Sequence, residues 1–148
     1  MRGSIRGVAA AVVAVTIGGA QAAAAQNPAP KPKLVNPIYG EAKIEITKPA
    51  TKVVGGDVVT TVLVKNVDKA PIAGFVAEEY WYDRGGNPLG GGTYRHPRPI
   101  QVGEVITCTF KTPKSTKLDR NQVGFSHAHG PIKKTIVPKL EAPKPAKT

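Results

Sequence analysis

Cysteine is nearly missing from this chain: Cys108 is the only one in 148 residues. An internal disulfide is therefore excluded in any compartment. Methionine occurs once, as Met1, so a blue-copper centre would lack its usual axial ligand. Between the two proline-rich flanks no internal repeat is present, and no stretch of ten or more residues has helical apolar periodicity. Order must then come from strands. No catalytic set is present either. Glu78 and Glu79 are adjacent, so on a strand they point to opposite faces and cannot work as a carboxylate pair. Ser126 beside His127 is turned away from it for the same reason. These absences point away from an enzyme.

What is present begins with an export pattern. Arg2 and Arg6 make a basic start, Val8 to Ile17 is apolar, and "GGAQAAAAQ" offers small-x-small cleavage sites. That is the pattern of a secretory signal peptide, with the cut expected after Ala25, Ala22 as the second choice, and a periplasmic or extracellular destination; the alternative is an uncleaved anchor over Gly7 to Ala25. Cleavage would leave no transmembrane span in the mature chain. No cysteine lies near the cut, so no lipoprotein anchor is expected. Residues 26–41 form a proline-rich linker, 42–140 the folded domain, and 141–148 a basic tail in "EAPKPAKT".

Lys and Arg number 21 against ten Asp and Glu, for a formal charge of +11, which becomes +9 without Arg2 and Arg6. A basic exported protein has cell-envelope polyanions as available partners, with another envelope protein as the alternative. The lysines are not interleaved with aromatic platforms of the kind that bind single-stranded nucleic acid, so no specific nucleic-acid partner is expected. A surplus of lysine also keeps the edges of a small β-protein unpaired.

The central block reads as short strands between turn signals. "AKIEITK" alternates, "TKVVGGD" turns at Gly55-Gly56, and "VVTTVLVKN" is β-branched until Pro71 and Gly74 break it. "FVAEEYWY", "EVITCTFK", "QVGFSHAH" and "KKTIVPKL" follow. About seven strands without helices predict an all-β fold, a single antiparallel β-sandwich of immunoglobulin-like type. Only Trp81 and Cys108 are available, so the Cys–Trp–Cys core of antibody domains is not expected. In "EVITCTFK" the alternation turns Cys108 inward, where it behaves as a small hydrophobe.

The run "WYDRGGN", preceded by "VLVKNVDKAPIAGF" and followed by "IQVGEVITCTF", resembles the FxLYD domain, a small β-sandwich module of bacterial exported proteins. The resemblance covers Val58 to about Thr112. It rests on Asn66 ending a strand, Tyr82-Asp83 and Gly85-Gly86 at a turn, and Val102-Gly103 opening the strand of Phe110. The motif's Phe falls on Glu79 and its Leu on Trp81. With Phe75, Ala77 and Trp81 on one face, a carboxylate at Glu79 is costly unless paired. Either a bulge shifts the register there, or the chain departs from the family pattern.

Two constellations are candidate sites. A phosphate cradle at Gly90 to Gly92 is disfavoured, because "NPLGGGTYRHPRP" ends in prolines and opens no helix. The glycines are expected to form a mobile loop, or an edge carrying Tyr94, Arg95, His96 and Arg98 outward as a binding surface. In "FSHAHG", His127 and His129 would share a strand face. With His96 as a third nitrogen they could hold copper or zinc. The expected function is an exported non-catalytic binding or interaction module without cofactor, and the alternative is a periplasmic copper- or zinc-binding protein.

Overall fold

The computed structural model describes residues 35–143. The expected signal peptide, most of the leading linker and the last five residues lie outside the described residues. Where apolar and polar residues alternate, strands form, and eight appear. They are β1 (Ala42–Ile46), β2 (Ala50–Val54), β3 (Asp57–Asn66), β4 (Val76–Tyr82), β5 (Pro88–Arg95), β6 (Val105–Pro113), β7 (Arg120–Ser126) and β8 (Ile132–Ile136). No helix occurs among the described residues. The expected all-β sandwich is the observed fold, with one strand more than the sequence suggested.

The strands make two sheets. In the first, β3 is central, with β6 along one edge and β1 and β2 sharing the other; β8 lies beyond β1. In the second, β4 is central between β5 and β7. Every pairing is antiparallel except β1 with β8, which run parallel.

One side chain explains how two strands share an edge of β3. Ile46 pairs with Val64 and Ala50 with Thr61, so four steps on one side match three on the other. Thr47 absorbs the extra residue. Its N–H donates to the Leu63 carbonyl, and its hydroxyl accepts the Leu63 N–H at 3.0 Å. The hydroxyl replaces a backbone acceptor, as a bulge beside Pro49 requires.

Ile44, Ile46, Val62, Val64, Ile106, Cys108 and Phe110 come inward from the first sheet, and Phe75, Ala77 and Val123 from the second. The two sheets approach at Gly92, where a Cβ would lie 3.4 Å from Phe110 Cβ. Ile38 is also buried, with its N–H donated to the Pro71 carbonyl. The folded unit therefore takes in the end of the proline-rich segment, starting before Ala42.

Candidate functional site

The Gly90–Gly92 segment is an edge strand, β5, and its alternation divides the expected surface. Tyr94 pairs with Ala77 and packs on the core. Its hydroxyl meets His96 Nδ1 at 2.9 Å. Burial, and then the nearby Arg98 charge, push the His96 pKa down, while burial pushes Tyr94 up. His96 Nε2 is buried without a partner. Arg98 donates to the Glu104 carboxylate through both terminal guanidinium nitrogens. That contact lowers the Glu104 pKa. Only Arg95 of the four projects from the strand as an exposed side chain without a salt bridge among the described residues. The expectation of one outward surface is corrected: a period of two sends Tyr94 inward, and Arg98 is occupied.

The histidines are also placed differently. β7 ends at Ser126, and the chain turns through an isolated bridge between His127 and Gly130. His127 is buried, its Nε2 donates to the Gly40 carbonyl at 2.9 Å, and its Nδ1 accepts the His129 N–H at 3.4 Å. The His129 ring stacks on Tyr39, with centroids 4.2 Å apart. Gly130 has φ +156°, and a Cβ there would overlap the Gly40 carbonyl. The pair clasps the incoming segment around Gly40. His127 and His129 are brought together, but both nitrogens of His127 are committed. His96 lies on the β5 flank of β4 and His127 on the β7 flank, so the three do not converge. Among the described residues no group of three or more His, Cys, Asp or Glu could hold a metal ion.

Glu79 stays in register with Phe75, Ala77 and Trp81 and is 2% exposed. The bulge falls later, between Trp81 and Tyr82, with Leu89 as the extra residue on β5. The carboxylate is paired instead, accepting Asn121 Nδ2 at 2.8 Å and the Thr112 hydroxyl at 3.4 Å. Past the strand end, Asp83 accepts the Asn87 N–H at 2.9 Å, and Gly86 takes φ +81°. The Asn87 side chain and backbone hold the Asp83 carboxyl below its usual range.

The outer faces carry what the tetrad does not. Residues directly opposite share a face, so the first sheet presents Lys43, Lys52, Lys65, Lys111 and Lys133 outward, against Glu45 and Asp57. Lys43 and Lys133 are direct cross-strand neighbours. Neither is in a salt bridge; the two ion pairs among the described residues are Arg84–Asp119 and Arg98–Glu104. Lys134 faces the other way, donating to the Val123 carbonyl at 3.0 Å and lying 5.5 Å over the Phe125 ring. The sequence marks this face by parity: Lys43 flanks inward Ile44, and Lys65 lies between inward Val64 and Asn66.

No protein-family model matches the chain, and no curated protein shows significant similarity to it. Among the described residues no helix is long and apolar enough to cross a membrane.

Proposed function

We propose that this is an exported, non-catalytic binding module whose lysine-bearing sheet face takes an anionic polysaccharide of the cell envelope. The observation that carries the reading is the unpaired Lys43–Lys133 couple, with Lys65, Lys52 and Lys111 on the same face. Like charges directly opposite on a sheet are destabilising, and an anion laid across them relieves that repulsion. Lys43 and Lys133 lie one strand spacing of ~4.8 Å apart, and Lys52 and Lys111 flank Val59 two spacings apart, separations that a linear polyanion can bridge. The export pattern supports a partner in the envelope, and the Tyr82-Asp83 turn supports a module of FxLYD type.

Dextran sulfate binding by the chain from Gln26, measured over a range of salt, tests this. Lys43→Gln/Lys65→Gln/Lys133→Gln should weaken binding at least tenfold. The slope of log K against log salt should shrink by roughly 2, at about 0.7 per neutralised charge on a flexible chain. Lys114→Gln/Lys117→Gln/Lys139→Gln removes equal charge from outside the strands and should change little. Equal losses in both variants would mean diffuse charge and end the proposal.

A further inference from the structure

The second sheet carries a different kind of surface. Its central strand β4 turns Glu78, Tyr80 and Tyr82 outward, and on the β5 side Glu78 and Tyr80 have small neighbours. Tyr80 lies between Gly91 and Gln122, and Glu78 between Thr93 and Gly124. The result is an open depression of about 280 Å³, lined by Glu78, Tyr80, Thr93 and Gly90, Gly91 and Gly92. It is a fixed feature of the backbone. A Cβ on Gly91 would overlap the Glu79 carbonyl oxygen, a main-chain atom that cannot yield. Gly90 has φ +115°, a conformation that side chains disfavour.

Beside this glycine floor stands an aromatic wall. Tyr80 is 44% exposed, and its hydroxyl donates to Glu78 Oε2 at 2.9 Å. The bond fixes the ring and the carboxylate relative to each other, and it raises the Tyr80 pKa. Glu78 Oε1 has no hydrogen-bond partner among the described side-chain contacts. The site thus offers a ring face, a fixed carboxylate acceptor, the exposed Thr93 and a floor free of side chains.

We propose that this depression binds a neutral hydroxylated ring, a glycosyl unit, packed against Tyr80 with its hydroxyls on Glu78. The C–H face of a sugar is apolar and slightly positive, which suits the negative face of a phenol ring. Its hydroxyls are donors, and an ionised carboxylate is the strongest acceptor a side chain offers to an uncharged donor. Glu78 disfavours an anion, so this ligand differs from the polymer proposed for the lysine face. A few convergent polar groups beside an aromatic wall are the usual makings of a small-ligand site. The inference stands apart from the lysine face: loss of dextran sulfate binding would leave it untouched, and its own failure would leave the lysine face standing.

The experiment is titration of the isotope-labelled chain from Gln26 with chitotetraose, maltotetraose and choline, followed by backbone amide spectra. Either saccharide, at millimolar concentration, should move the amides of Gly90, Gly91, Gly92 and Thr93. Tyr80→Ala should abolish the shifts, and Glu78→Gln should weaken binding severalfold. The rest of the spectrum reports whether the Tyr80 variant folds. If it does not, Glu78→Gln and Thr93→Val must each weaken binding. No shift at about 20 mM of either saccharide, where even a Kd of ~1 mM (about −4.1 kcal/mol) would saturate the site, would overturn the proposal. So would shifts that survive these substitutions, or a response to choline alone, which would make the site one for cations.

Discussion

A carboxylate in an apolar row is tolerated only with partners, and Glu79 has two, Asn121 and Thr112. Removing it strands both. Glu79→Ala leaves the Asn121 amide without its acceptor in a part-buried position, and an unsatisfied buried polar group costs about 1–3 kcal/mol. Glu79→Gln keeps an oxygen for Asn121 and adds a donor that the Thr112 hydroxyl can accept. The expected outcome is a lowered urea midpoint for the alanine variant and a near-native one for glutamine. An alanine variant as stable as the parent would show that these bonds contribute nothing. The same region holds two unpartnered buried atoms, Thr60 Oγ1 and Trp81 Nε1, so its polar groups are already near their limit. Sequence alone placed Glu79 on the inner face but not its partners. Asn121 lies 42 residues away, and that contact is set by the pairing of β4 with β7.

Elements with plain alternation were legible: β1, β3, β4 and β6 fall where apolar and polar residues alternate or β-branched residues cluster. β5 was not, because "LGGG" has no side chains to alternate, and its order comes from pairing with β4. The His127–Gly130 turn was misread for the opposite reason. The alternation of Val123, Phe125, His127 and His129 continues past Ser126, where β7 and its pairing with β4 end. The first ordered segment was hidden by its prolines. Ile38 is buried and Gly40 is held by His127 and His129, so residues 38–41 belong to the fold. A chain beginning at Ala42 should therefore melt below one beginning at Val35. Losing one buried aliphatic side chain costs about 1.5–3 kcal/mol, and ~1 kcal/mol moves the Tm of a domain this size by about 4–8 °C. Equal melting temperatures by circular dichroism would mean that the clasp is not coupled to the sheets.

At the scale of the whole molecule, Cys108 reports how cooperatively the two sheets are joined. It pairs with Val62 in the middle of the β3–β6 ladder and is fully buried. Burial pushes its thiol up to about 12. Only the thiolate reacts with a disulfide reagent, so the folded protein lacks both the access and the charge. Two routes to reaction compete. β6 is bonded to β3 alone within its sheet, so it could fray locally; or the sandwich must open as one unit, because Phe110 and Ile106 beside Cys108 are in the same core. The packing of Gly92 on Phe110 ties β6 to the second sheet and favours global opening. Labelling by a disulfide reagent should then be slower than in the unfolded chain by the folding equilibrium constant, about 10³–10⁸ for small domains. Its dependence on urea should match that of unfolding followed by Trp81 fluorescence. A pH dependence follows from the same burial. Above about 9 the unfolded thiol ionises while the native one does not, so stability falls by about 1.4 kcal/mol per pH unit. The loss ends when the native thiol titrates near 12, and a Cys108→Ala variant should lack this decline. Labelling that ignores urea would mean that β6 peels away alone, and that the two sheets are less firmly joined than their shared core implies.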